Sequence, residues 1–202
     1  MGERWAIDFV GVDDRHRPSP TRDWRTAFGT EPPARFVGFG WPVLAPTDGV
    51  VVAVHDGEPD HEARRSQLAL VPYALGQAAR VRQGVAAVAG NHVIVAVAGR
   101  QVYVALVHLQ AGSVAVRPGE TVRVGQPLAR CGNSGNSTQP HVHVQVMDDL
   151  DLGVARGVPV AFREFREWRR PGSRPVDHQL GIPAEGSVVA RAPEDRPGTA
   201  AE

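Results

Sequence analysis

His141 and His143 stand two apart in the run His141-Val-His-Val-Gln-Val146. Strict alternation puts His141, His143 and Gln145 on one face of a strand and Val142, Val144 and Val146 on the other. Two imidazoles on one polar face can offer two nitrogens to a metal ion, or one to a metal and one to a reacting group. The same pattern also suits a surface strand of a half-buried sheet, but the flanks favour chemistry. Gly132-Asn-Ser-Gly-Asn-Ser-Thr-Gln-Pro140 is rich in turn formers and can deliver His141 to the rim of a cleft. Two further residues have the right character. His108 ends an alternating strand, Val102 to Leu109, where the turn Gln110-Ala-Gly-Ser113 begins. Asp8 interrupts the apolar run Ile7, Phe9, Val10, and a carboxylate embedded there needs a partner, because isolated burial of a charge is strongly unfavourable. A metal ion is one such partner.

The elements that would position these residues are short strands. Trp5 to Val10 reads as a first strand, followed by a polar, proline-rich loop from Asp13 to Arg35. Gly40 to Gly49 is turn chemistry around a short apolar pair, and Val50 to Val54 is a strand buried on both faces. Residues 56–90 read as an insertion with a charged cluster, His61-Glu-Ala-Arg-Arg65, and one short helix over Ala74 to Val81. Strands then return at His92 to Val97, Gln101 to Val107, Thr121 to Val124 and His141 to Met147, and Val116 to Leu128 has the pattern of an edge hairpin. Phe162, Phe165 and Trp168, three apart, suit an edge strand or a helical turn. The expectation is an all-β antiparallel sandwich with an open groove and long loops. One domain is expected over 1–189, with a motif core at 5–148, the insertion at 56–90 and a C-terminal extension at 149–189. A disordered tail is expected over 190–202.

Composition narrows the function classes. With 202 residues, 42% of them apolar, the chain can bury one core, and 22 glycines with 17 prolines favour strands and turns over helices. Basic and acidic residues balance at 22 each, so the field expected of a nucleic-acid or anionic-membrane binder is absent. Every basic side chain is arginine, a bias of composition without mechanistic weight. Cys131 is the only cysteine, which excludes an internal disulfide and suggests packing. No window is apolar for the ~20 residues of a membrane span, and the N-terminus lacks a basic patch followed by an apolar core and a small-residue cleavage site. The sequence as given is therefore expected to be cytoplasmic. A biological start upstream of Met1 would instead place it in the cell wall or outside the cell.

Several segments share a recognisable form. Residues 132–143, Gly-Asn-Ser-Gly-Asn-Ser-Thr-Gln-Pro-His-Val-His, have the form Gly-Asn-(Ser/Thr)-Gly-x-Ser-Thr-x-Pro-His-(Leu/Val)-His. Tyr103 leads after four residues to His108-Leu109; Gly40 to Val54 contains Pro-Val-x-Ala-Pro-x-x-Gly; Gly90-Asn91-His92-Val93-Ile94 has the form Gly-Asn-x-Val-Ile. In this order, over Trp5 to Asp148, the chain resembles the lysostaphin-type zinc endopeptidases, the twenty-third metallopeptidase family, which cut peptide cross-links in bacterial peptidoglycan. The resemblance implies one zinc ion at the floor of the groove and a metal-bound water attacking a peptide carbonyl. By it, Asp8 and His143 would be metal ligands. His108 and His141 would be catalytic, orienting and deprotonating the water or stabilising the oxyanion. Asn133, Asn136, Ser137 and Tyr103 would touch a peptide or peptidoglycan substrate.

One position departs from the pattern. The family's first metal ligand is a histidine four residues before Asp8, and here that residue is Arg4. Arginine does not ligate zinc, and catalytic zinc sites typically use three protein ligands. Alternation puts Arg4, Ala6 and Asp8 on one strand face, so a guanidinium could neutralise Asp8 in the metal's place. The alternative to an enzyme is thus a non-catalytic module that binds peptidoglycan or regulates a hydrolase. A histidine phosphocarrier on a similar sandwich is disfavoured by Asp8 and by the Asn-Ser-Gly-Asn loop. His16, His55, His61, His92 and His178 fall outside the matched positions and read as surface or packing residues, with His16 nearest in sequence to Asp8.

Overall fold

Valine-rich runs pair into antiparallel sheets in the computed structural model, which describes residues 5–66, 85–151 and 154–193. Six strands make the main sheet: β1 (Ile7–Phe9), β3 (Gly49–His55), β4 (Asn91–Val97), β5 (Tyr103–Leu109), β6 (Thr121–Val122) and β8 (Val142–Met147), in the order β1-β8-β5-β4-β3-β6. A two-stranded sheet pairs β2 (Pro42–Leu44) with β7 (Pro127–Arg130). The all-β antiparallel architecture expected from the sequence is therefore the one adopted. The chain divides into two compact units, 1–158 and 159–202. The second has its own sheet, in which β9 (Phe162–Trp168) lies between β10 (Val176–Gly181) and β11 (Val188–Arg191).

The main sheet is apolar on both faces. On one, Val93, Val95, Val104, Leu106, Val144 and Val146 are all buried, and each such side chain contributes about 1.5–3 kcal/mol when fully removed from water. On the other, Ile94, Ala105, Val107 and Met147 form a buried cluster with Ala89 and Ala155. Burial on both sides explains why β4 and β5 read as near-continuous apolar runs.

Several boundaries differ from the sequence reading. β1 is only three residues long. The loop after it contains a short helix, α1 (Trp24–Phe28), whose start is set by a capping box between Asp23 and Thr26. Val116 to Leu128 is not a hairpin: β6 pairs with β3 at the edge of the main sheet, and β7 pairs with β2. β9 is the central strand of its sheet rather than an edge, because both flanking segments return to it. Residues 159–202 make up the second compact unit, and β11 runs on to Arg191. The expected helix at Ala74 to Val81 lies outside the described residues; a second short helix, α2, is formed by Val85–Ala89. No helix among the described residues is long and apolar enough to cross a membrane.

Candidate active site

Register across the main sheet builds the site. Asp8 faces His143, His143 faces Val107, Val107 faces His92 and His92 faces His55, so one cross-strand row carries four polar residues interrupted by a valine. The next row on the same face is Gln145, Ala105, Ile94 and Ala53. From Asp8 to His92 and from Gln145 to Ile94 these rows line a groove of about 270 Å³, together with Val88, Asn136 and Thr138. Polar side chains gather at the β1–β8 end, and an apolar stretch of Val107, Ala105 and Ile94 separates them from His92.

His108 reaches this groove through a bulge. Asn91 pairs with Leu109 but His92 pairs with Val107, so His108 is the extra residue of β5. Its φ of +63° is a left-handed conformation that side chains resist. Regular alternation would send His108 to the face opposite Val107; the bulge brings both into the groove. The loop bearing the other histidines docks just as closely. A Cβ on Gly132 would lie 2.3 Å from the Gln110 backbone nitrogen, and one on Gly135 the same distance from that of Gly90. Only glycine permits these backbone approaches.

Hydrogen bonds fix the protons on two rings. His108 Nδ1 donates to the Ser134 carbonyl at 2.9 Å, and His141 Nδ1 donates to the Gln139 carbonyl at 2.8 Å, with Ser137 Oγ at 3.1 Å. Each neutral ring therefore presents Nε2 as an acceptor. The His108 and His141 rings lie 4.8 Å apart between centroids, and His108 and His143 lie 6.1 Å apart. His143 Nδ1 meets Asp8 Oδ1 at 2.8 Å, and His141 Nε2 lies 3.7 Å from the same oxygen. Burial, then the neighbouring His141, pushes His108 down to about 3, and burial also lowers His141. The hydrogen bond from His143 holds the Asp8 carboxyl below its usual value. The site thus holds neutral imidazole acceptors around one carboxylate.

Residues 71–159 match the family model described as Peptidase family M23. The matched segment holds His108, His141 and His143 and leaves out Asp8. No curated protein matches the chain. Among solved structures, a point mutant of the catalytic domain of the prophage-encoded M23 protein EnpA from Enterococcus faecalis is 21% identical, with 75% of this chain and 88% of that one covered and a TM-score of 0.40. The lysostaphin catalytic domain from Staphylococcus simulans is 18% identical over the same shares, also with a TM-score of 0.40. A zinc-containing peptidase from Vibrio cholerae is 21% identical, with 73% of this chain and 36% of that one covered and a TM-score of 0.38.

The residues singled out by sequence separate into two groups. Asp8, His108, His141, His143 and Asn136 line the groove. Asp8 is not embedded among its apolar neighbours: its side chain is 58% exposed, because alternation turns it to the groove while Ile7 and Phe9 face the other way. Asn133 is fully buried; its amide donates to the His61 carbonyl at 2.7 Å, and its backbone N–H is held by Asp60. Ser137 is buried against His141, and Tyr103 packs beside the apolar cluster further along β5. The sequence reading missed His92, which lines the groove rather than simply packing; its place opposite Val107 is a register that no local pattern gives. His61 likewise has a defined task, donating Nε2–H to the Gly135 carbonyl at 2.9 Å.

The donors suit zinc in kind, an imidazole nitrogen and a carboxylate oxygen. In number they fall short: among the described residues no three His, Cys, Asp or Glu side chains form a metal-holding group. Arg4 lies outside the described residues, and the partner described for Asp8 is His143.

Proposed function

We propose that the groove is a peptidase site acting on peptide bonds, with peptidoglycan cross-links as the substrate class. The observation carrying this reading is the convergence of Asp8 with His108, His141 and His143 on one groove, the three histidines lying in the segment similar to Peptidase family M23. Asp8 and His143 would hold one zinc ion, which when bound would polarise the scissile carbonyl and acidify a water. His141 is the better proton acceptor of the two remaining histidines. It sits beside the Asp8 carboxylate, which favours its protonated form, whereas the more deeply buried His108 is held down to about 3. His108, with Nδ1–H committed to Ser134, offers only an acceptor and would orient a donor rather than stabilise an oxyanion. Asn136, on the rim, would contact substrate.

The second reading is a non-catalytic peptidoglycan-binding or hydrolase-regulating module. It is favoured by Arg4 standing in the place of a ligand and by the absence of a three-donor metal group among the described residues. Zinc per chain after dialysis against a weak chelator, measured with hydrolysis of a cross-linked muropeptide, separates the two. One retained zinc and cleavage that disappears in His141→Ala support the peptidase. Binding of the muropeptide without zinc or cleavage supports the module. In that case Arg4→His should raise zinc affinity by orders of magnitude by completing a third ligand with Asp8 and His143.

A further inference from the structure

The cross-strand row that contains Asp8 and His143 continues past them to His92. His92 is two strands from His143, which at about 4.8 Å per strand is roughly 10 Å along the groove. Its Nδ1 donates to the Gly90 carbonyl at 2.8 Å, so Nε2 is left as an acceptor on the groove wall. His55 stacks on the ring with centroids 5.6 Å apart and planes 23° from parallel, and Glu58 holds His55 Nε2 at 3.2 Å. The ring is therefore fixed in tautomer and braced in orientation. Between His143 and His92 the floor consists of Val107, flanked by Ala105 and Ile94, and offers a peptide no polar side chain.

We propose that His92 is a specificity-determining residue of the groove, its Nε2 accepting a hydrogen bond from a backbone N–H of the bound peptide. An extended peptide advances about 3.3 Å per residue, so the N–H in question lies about three residues from the one seated at His143. The intervening apolar floor selects small apolar residues over charged ones, which would lose hydration there without gaining a partner. This inference rests on reading the groove as a peptide site, whether or not the peptide is cut.

The test uses the full chain and a fluorescein-labelled hexa-alanine probe, with a series of the same peptide N-methylated at one position at a time. Affinity is read by fluorescence anisotropy. In the wild type, one N-methyl position should weaken binding roughly 3- to 10-fold beyond its neighbours, the range of a single net hydrogen bond. His92→Phe keeps an aromatic ring against His55 but has no acceptor, and should erase the sensitivity at that position while leaving the rest of the profile intact. His92→Gln, whose amide oxygen can accept, should restore part of it. If His92→Phe does not fold, His92→Asn, with a shorter reach, takes its place. An unchanged profile, a uniform loss across all peptides, or no binding to the wild type overturns the proposal. Cleavage of muropeptide by wild type and His92→Phe with the same dependence on N-methylation would defeat this inference alone. A position-specific profile without cleavage would instead defeat the peptidase reading alone.

Discussion

His108 combines an uncommon backbone with an uncommon protonation state, and each has a measurable outcome. At φ +63° a β-carbon is unfavourable by about 1–2 kcal/mol, so the usual ranking of alanine over glycine inverts at this position. His108→Gly should be more stable than His108→Ala by about 1 kcal/mol, read from urea unfolding of the two variants; equal stabilities would contradict the assigned backbone. The protonation state makes stability depend on pH. His108, His141 and His92 all titrate below their ordinary value of 6.5, chiefly through burial. Above pH 6.5 both folded and unfolded chains hold these rings neutral. Below it the unfolded chain takes up protons that the folded one refuses, so stability present at neutral pH is lost as pH falls, at up to about 1.4 kcal/mol per unit for each ring, and for His108 the loss continues down to about 3. Asp8, whose pKa is also depressed, adds a loss of the same sign at lower pH. The urea midpoint should therefore decline from pH 7 to pH 4, and the decline should be shallower in His108→Phe; a flat profile in the wild type would refute the assignment.

Between single residues and the whole sheet, two loops carry the geometry of the groove. Asp60 binds the backbone N–H groups of Asn133 at 2.6 Å and Ala111 at 3.0 Å, tying the loop before His141 to the turn after His108. Asp56 holds the backbone N–H groups of Gly112 and Val114 in that same turn. Asp60→Ala should destabilise by about 1–3 kcal/mol and speed hydrogen exchange at Ala111 and Asn133, with weaker peptide binding although Asp60 does not line the groove. Much of this scale was legible in sequence. Alternation located β4, β5 and β8 to within a residue or two, and the glycine-rich stretch before His141 announced a loop that must dock closely. The bulge at His108 was not legible, since it exists only as two residues of β5 opposing one of β4. His92 was passed over for the same reason: its role depends on the strand opposite, which no local pattern names. The brace from 56–66 read as a charged insertion because Asp56, Asp60 and His61 bond to backbone atoms more than 50 positions away.

For the molecule as a whole, the second unit has its own polar centre. Glu167, nearly free of solvent, accepts from the Ala184 N–H at 2.7 Å and meets His178 Nε2 at 3.1 Å and Arg169 Nε at 3.2 Å; the Ala184 N–H first, with Ser187 and Arg169, holds it down to about 2. The first unit closes its own backbone bonds at its boundary, where Val158 N–H donates to the Val146 carbonyl. A chain ending at Val158 should accordingly fold and bind muropeptide within about threefold of the full chain, checked by circular dichroism and anisotropy. Failure to fold would show the two units to be energetically inseparable. Cys131, bridged in strand fashion to Leu109 directly after the bulge, has its thiol pushed up to about 12 by burial and by Asp60. A thiol so protonated and covered reacts only when the backbone around His108 and the motif loop parts. The molecule thus contains a chemical clock for the opening of its own groove: the alkylation rate of one sulfur measures how often the histidines come apart. A peptide bound between them should slow that clock by the factor 1 + [peptide]/Kd.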